Sequence, residues 1–476
     1  MKEGQHVHFV GIGGIGMSGI ARVLLEMNWR VSGSDLRSSG ITEGLRALGA
    51  TIFEGHRAEN VAEADVIVLS SAIPASNPEL VEARRRNLPV YGRSEMLGFL
   101  MRQRFGIAVA GTHGKTTTTS MVARVLEASS LRPTVIIGGE VNDIGGNAKL
   151  GLGEHLVAEA DESDASFLDL DPRVAVITNI DSDVNLSAPP FASLNFDYDL
   201  TMNKIEEMFE HFMARVPADT GKLILCFDNE RVRKVSQRVE REKISYALDH
   251  PADLTCKGIE LKGFGSTCTV IYKGEKLGLL RLGVPGRHNI SNALAAIACG
   301  LSIGLEPAAI FVALERFEGV QRRFQILGEF GGVTIVDDYA HNPQKIQAAL
   351  HAARSANPHR VIGVFQPHRY TRTKFLAHEF AVSFEDADVV LVTDIYSAGE
   401  VPIVGARAEN VVELIRQHGK PAKVVYTPHK ADMIRYLVEE CEPGDVVVTL
   451  GAGDIGAWGA SLGDFLGKPP ADRAAM

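Results

Sequence analysis

From one end of the chain to the other, short apolar and β-branched runs alternate with longer stretches of helical period, and polar or glycine-rich turns follow the strand-like runs. That alternation predicts α/β units with open, mostly parallel sheets. Val7 to Val10, Arg30 to Gly33, Val66 to Ser71 and Val90 to Tyr91 read as strands of a first doubly wound unit. Ile107 to Ala110, the run at Leu156 to Ala158 and Val174 to Thr178 belong to a second, with helices from Met202 through His211 and from Ser291 to Gly300. Thr334 to Val336, Val361 to Phe365, Val389 to Val392, Lys423 to Tyr426 and Val446 to Leu450 form a third. Residues 185–199, with Ala188-Pro189-Pro190, read as a surface excursion, and the tail from Gly467 as frayed.

At 476 residues the chain exceeds one core, and about 100 to 200 residues per domain suggests three. The expected architecture is α/β in three domains: Rossmann-like over 1–98, a central phosphate-loop domain over 99–318, and a second Rossmann-like domain over 319–476. The last boundary rests on the shift from Ala-rich helix to Gly-rich strand near Glu318 to Phe324.

Charge and cysteine usage narrow the class. A net charge of −10 and basic runs no longer than Arg84-Arg85-Arg86 argue against a nucleic-acid footprint. Five scattered cysteines leave one over from any pairing, which suggests neither a disulfide framework nor a zinc knuckle and fits a reducing compartment. No signal-peptide h-region follows Met1, and no run approaches the roughly 18 apolar residues of a membrane span, so a cytoplasmic protein is expected.

The chemistry gathers at strand ends. Gly111-Thr112-His113-Gly114-Lys115-Thr116-Thr117 follows a strand and opens a helix, the setting in which backbone N–H groups and a helix N-terminus cradle phosphate. Lys115 would reach the terminal phosphates and Thr116 would offer its hydroxyl to Mg²⁺. The loop is shorter than the usual spacing, since Val109 stands where the first glycine would fall. Gly11 to Gly16 form a second glycine turn, and Asp35 lies at the distance where an acid meets a ribose in a Rossmann unit. Ser70 and Ser71 end another strand of that sheet and either bind ligand or cap a turn. Glu159, Asp161, Glu162 and Asp164 crowd one strand end, which favours a cation among them, with Glu162 the leading metal ligand. Asn179, Asp181 and Asp183 end the next strand. Asn289, before a helix, reads as a possible N-cap. In the third unit Asp338, His341, Arg369, Arg372 and Asp394 all lie beyond carboxyl ends of strands, so they share one crevice.

Taken in order, Gly-Ile-Gly-Gly-Ile-Gly-Met-Ser-Gly-Ile-Ala, Gly-Thr-His-Gly-Lys-Thr-Thr, Glu-Ala-Asp-Glu-Ser-Asp, Gly-Arg-His-Asn, Arg-Arg-Phe, Asp-Asp-Tyr-Ala-His, Gln-Pro-His-Arg-Tyr and Gly-Ala-Gly-Asp resemble the Mur ligase family over nearly the whole chain. The opening turn is similar to that of the family's L-alanine-adding branch. The resemblance implies an ATP-dependent ligase that joins L-alanine to the lactyl carboxylate of UDP-N-acetylmuramate through an acyl phosphate, as a monomer or homodimer. It implies a UDP-sugar site at Gly13, Gly14, Ile15, Gly16, Asp35, Ser70 and Ser71. The ATP site would comprise Gly111 to Thr117 with Asn289, Arg323 and Asp338, and L-alanine would lie among Tyr339, His341, Arg369 and Arg372. Lys115, His113, Glu162 and His341 would be catalytic, and Thr116 and Glu162 would hold Mg²⁺, with Asp183 a further metal candidate.

Two departures stand out. Val184 replaces a family histidine that helps hold a second Mg²⁺, so Asp181, Asp183, Asp197 or Asp199 would have to substitute, or the ion is held more weakly, or activity is impaired. Asn342 stands where a second histidine is common. The rivals are therefore a catalytically impaired nucleotide and UDP-sugar-binding homologue, a related ligase for another amino acid or peptide, and a nicotinamide dehydrogenase, which the phosphate loop and acidic strand end disfavour.

Overall fold

The computed structural model describes residues 4–70, 72–141, 146–162, 165–181 and 198–468. Ser71, Asp164, Asp183, Val184, Asp197 and the side chain of Asp199, all singled out above, lie outside the described residues. The chain divides into two compact units, one of residues 1–258, 268–280 and 291–317, the other of 259–267, 281–290 and 318–476.

The first unit opens with a five-stranded parallel sheet in the order Thr51–Glu54, Arg30–Asp35, His6–Val10, Val66–Leu69, Val90–Gly92. Strand order reverses beside His6–Val10, and at such a switch point an open α/β sheet leaves a crevice outside its carboxyl ends. The glycine turn lies there, between that strand and the helix Ile15–Glu26.

In the central sheet Phe105–Ala110 runs between Val174–Ile177 and His155–Glu159, parallel to both. These strands are apolar without alternation because helices cover both faces. Ile107 to Ala110 and Val174 to Ile177 are at most 2% exposed. Lys222–Cys226 and Glu242–Tyr246 extend the sheet on one side, Thr134–Val141 and Gly146–Lys149 on the other. Helix Ile15–Glu26 packs beside Gly146–Lys149, where Asn147 Nδ2 donates to Ser18 Oγ at 3.0 Å and Leu150 N to Glu26 Oε2 at 2.8 Å. Residue 98, the expected end of the first domain, lies within the helix Arg93–Arg102.

The second unit is built on the sheet Gln325–Phe330, Val333–Asp338, Val446–Leu450, Val361–Phe365, Val389–Val392, Lys423–Tyr426, parallel except for its first, antiparallel edge strand. Helices run longer than their apolar period suggests: Tyr198–Ala214 and Arg287–Ser302 replace the expected 202–211 and 291–300. Asn289 is therefore inside its helix and not an N-cap. Helical bonding starts immediately after Gly286, whose carbonyl accepts from Asn289 N at 3.1 Å, and the Asn289 side chain donates to the Pro285 carbonyl at 2.7 Å. Among the described residues no helix is long and apolar enough to cross a membrane.

Phe167, fully buried, sits against Phe209 and Phe212 with ring centroids 5.1 and 4.8 Å away, and so ties the Ser166–Asp169 turn to helix Tyr198–Ala214. Phe167→Ala is expected to destabilise the first unit by about 3–5 kcal/mol, the range for truncating a core phenylalanine. Scanning calorimetry of the full chain checks this, and an unchanged transition would show that the aromatic cluster carries no such weight.

Candidate active site

Gly111 and Gly114 shape the phosphate loop, at φ +135° and +81°. A β-carbon on Gly111 would lie 2.1 Å from Thr178 Oγ1, so both backbone angle and space demand glycine. The neighbouring strand end then clamps the loop. His113 N donates to Asn179 Oδ1 at 2.8 Å, while Asn179 Nδ2 and Thr178 Oγ1 donate to the His113 carbonyl at 2.9 and 2.6 Å. Thr112 Oγ1 accepts from Asp181 N at 2.9 Å, and Thr118 Oγ1 donates to Asn292 Oδ1 at 3.1 Å. Asn179 could be read as a polar strand end, but its bidentate grip, and the parts of Thr178 and Asn292, had no signal in the sequence.

Lys115 and Thr116 open the helix Lys115–Ala128, with Thr117 half-buried beside them. Lys115 Nζ donates to both Glu162 oxygens, at 2.7 and 3.0 Å, and to the Gly111 carbonyl at 2.7 Å. Burial alone would lower the lysine, but Glu162, Glu159 and Asp161 outweigh it and hold the ammonium above its ordinary value. Burial drives Glu162 up to about 7 against the pull of Lys115, and Asp161 adds to the rise. Thr116 Oγ1 donates to Glu159 Oε2 at 3.0 Å, and the same oxygen accepts from Gly138 N at 2.9 Å. The strand ends therefore bring Lys115, Thr116, Glu159 and Glu162 into one cluster, in which Thr116 pairs with Glu159 and Lys115 with Glu162. No three His, Cys, Asp or Glu among the described residues form a ready metal cage. Mg²⁺ asks for less, since it takes one or two carboxylates and completes its shell with phosphate and water.

At the glycine turn, Gly11 N and Ile12 N donate to the Ser34 carbonyl at 2.9 and 3.0 Å. Asp35 accepts from Gly13 N at 2.9 Å and Leu36 N at 2.8 Å, so its carboxylate braces the turn. Gly14 caps the following helix, and Ile15 and Gly16 lie in its first turn. Ser70 Oγ accepts from Ala72 N at 3.4 Å, the turn-capping role. Arg93, which the sequence did not single out, flanks Gly16, within 3.0 Å of where a β-carbon would stand.

In the second unit Asp338 accepts from Phe324 N at 2.7 Å and Ala340 N at 2.8 Å, and burial lifts it to about 6 against the attraction of Arg323. Arg322 and Arg323 stack over Tyr339 at 5.0 and 5.3 Å from its ring centre. His341 meets Tyr339 edge-on at 5.3 Å and lies 6.0 Å from His368, which stacks on Tyr396 at 5.6 Å. His368 Nδ1 is 3.3 Å from the Arg372 guanidinium, and burial with the nearby Arg372 and Arg369 lowers it to about 4, keeping a neutral ring among cations. Tyr339, His341 and Arg372 thus come together as expected, joined by Arg322, His368 and Tyr396. Arg369, at φ +71°, approaches Glu400 at 3.9 Å. Asp394, expected at the common crevice, is engaged by the Tyr426 hydroxyl, which approaches across the neighbouring strand end. Asn342 Oδ1 accepts from Lys345 N at 3.0 Å as the N-cap of Pro343–Ser355, which accounts for asparagine there.

A phosphate loop in a central α/β sheet, a Rossmann-like sheet before it and a cation- and aromatic-lined sheet edge after it define a three-domain nucleotide-dependent α/β protein. The chain belongs to the Mur ligase family: its residues 6–105 match the Mur ligase family catalytic domain, 109–300 the Mur ligase middle domain and 322–453 the Mur ligase glutamate ligase domain. It is 51% identical to UDP-N-acetylmuramate–L-alanine ligase of Pelotomaculum thermopropionicum over 97% of each chain, and 49% identical to that of Anaeromyxobacter dehalogenans over 96% of each. The fold is similar to that of UDP-N-acetylmuramate–alanine ligase from Thermotoga maritima, with a TM-score of 0.79, 28% identity and coverage of 99% of this chain and 100% of that one. Mur ligases are ATP-dependent and generally need a divalent metal.

Asn179→Ala removes both bonds to His113 and is expected to raise the KM for ATP by roughly tenfold, the cost of one or two hydrogen bonds. Steady-state kinetics with ATP varied checks it; an unchanged KM would mean the loop holds its shape without the clamp.

Proposed function

We propose that the chain joins L-alanine to the lactyl carboxylate of UDP-N-acetylmuramate at the expense of ATP, as a cytoplasmic step in peptidoglycan precursor synthesis. What carries this reading is the near-full-length identity to ligases of that name, 51% over 97% of the chain, together with an intact Lys115, Thr116 and Glu162 cluster at the phosphate loop. On this reading residues 1–98 take the UDP-sugar, 99–318 ATP and 319–476 the amino acid.

The lactyl carboxylate attacks the γ-phosphorus and ADP leaves; the alanine amine then attacks the acyl carbon, phosphate departs and the amine loses a proton. No protein nucleophile is needed, so this chain's contribution is placement and charge. Amides of the loop, with His113, bind the phosphates, and Lys115 neutralises charge on the transferring group. Thr116 and Glu162 would hold Mg²⁺, with Asp183 a further candidate; the ion supplies charge neutralisation on the phosphates. Gly13 to Gly16 bind the diphosphate, with Asp35 bracing the turn, and Ser70 and Ser71 would serve the same ligand. Tyr339 and His341 surround the amino acid, and Arg372, with Arg369, pairs its carboxylate.

Val184 favours one second reading, a homologue that binds nucleotide and UDP-sugar without turning over. Phosphate release from ATP with Mg²⁺ and UDP-N-acetylmuramate, with and without L-alanine, separates the two. Release that requires both co-substrates is expected; binding of both nucleotides without release would favour the second reading. Lys115→Ala should cut release at least about a hundredfold, as loss of a charge-stabilising donor does, with UDP-sugar binding intact. Arg372→Ala should raise the KM for L-alanine by roughly ten- to hundredfold, the worth of a charge-assisted bond, with the KM for ATP little changed. An unmoved alanine KM would remove Arg372 from the pocket.

A further inference from the structure

A fully buried carboxylate lies under the carboxyl edge of the first sheet. Glu79, 0% exposed in the first turn of helix Pro78–Arg85, accepts from Ser34 Oγ at 2.6 Å and Asn60 Nδ2 at 2.5 Å, and His56 Nδ1 stands 3.1 Å away. His8 Nε2, also buried, lies 3.7 Å from the other side of the carboxylate, an ion-pair separation. The network continues inward through Ser32 Oγ, which is 2.8 Å from both His8 Nδ1 and His6 Nε2. Burial would raise a lone carboxyl here, but the contacts from His8, Ser34 and Asn60 overcome it and hold Glu79 at about 2, so it stays an anion at any working pH.

The partners at the crevice come from the end of strand Arg30–Asp35 and from the loop after Thr51–Glu54. Ser34 is the penultimate residue of the strand Arg30–Asp35; its carbonyl accepts from Gly11 N and Ile12 N, and the last residue, Asp35, braces Gly13 N. His56 follows Gly55, whose N donates to the Asp35 carbonyl at 2.7 Å, and Asn60 Nδ2 also donates to the Gly55 carbonyl at 3.1 Å. Glu79 itself begins the helix that leaves the Ser70 loop, fixed there by Asn77 Oδ1, which accepts from Glu79 N at 2.9 Å. We propose that Glu79 is a positioning residue of the UDP-sugar site: a buried anion that holds the Gly11–Gly16 turn, the 55–60 loop and the loop after Val66–Leu69 in one register. The assignment rests on the UDP-sugar reading of this sheet edge given above.

The negative charge matters as well as the shape. A carboxylate offers only acceptors to three donors, whereas an amide of the same size must turn an NH₂ toward Asn60 Nδ2 or toward Ser34 and His56. Glu79→Gln is therefore expected to weaken UDP binding, read by calorimetry with UDP itself, and to raise the KM for UDP-N-acetylmuramate. Both should move roughly tenfold, the lower end of what loss of an orienting partner costs a ligand site, while kcat and the KM values for ATP and L-alanine stay within about twofold. A merely structural role would lower the unfolding midpoint without that selectivity. Equal UDP affinity in the folded variant, or equal movement of all three KM values, overturns the proposal. Should Glu79→Gln fail to fold, Ser34→Ala cuts the bond from the strand that carries the glycine turn to the carboxylate, together with the 2.9 Å contact of Ser34 Oγ to His56 Nδ1: weaker UDP binding supports the proposal and unchanged binding overturns it. Wild-type chain that binds no UDP would instead sink the UDP-sugar reading, and this inference with it.

Discussion

A phosphate loop is a turn whose amides must point into open space, so it cannot be stabilised by the ladder that stabilises everything around it. Its shape has to be imposed from outside, and here the neighbouring strand end does it: Asn179 takes both the N–H and the C=O of His113, and Thr178 fills the space that a side chain on Gly111 would need. The parallel pairing of Val174–Ile177 with Phe105–Ala110 sets those two residues at the right height. Position of the loop, and through it of Lys115, thus depends on sheet register more than on the loop's own residues.

The first sheet solves the same problem with charge. Its glycine turn is braced by Asp35 and by the Ser34 carbonyl, and behind them stands an anion that water never reaches. Removing one partner from such a group is costly, because the remaining charge stays buried. Both glycine turns of the first unit are therefore held by side chains from adjacent strand ends.

Strands and phosphate turns were legible because they announce themselves locally, through apolar runs and glycine at fixed places. Helix limits were less so: Arg287 and His288 carry no apolar signal, yet Gly286 starts the helix before them. Candidate site residues stood out where their chemistry is rare, as with Lys115, Glu162 and Arg372. Contacts were hidden where a common residue meets a partner far along the chain, as Thr178, Asn292, Arg93 and Glu79 do. Asn342 looked like a departure from a family pattern and is a helix cap, a role that needs only the three residues after it.

Lys115 and Glu162 neutralise one another across 2.7 Å. Whatever anion draws the lysine away leaves the carboxylate without its counterion, in a place where burial makes that costly, and so raises its appetite for a cation. By thermodynamic reciprocity a cation on Glu162 strengthens the lysine's hold on the anion by the same factor. On the proposed roles of Lys115 and Glu162, a single ion pair in the resting protein would couple the two ligands, making either charge alone a poor ligand and the two together a good one.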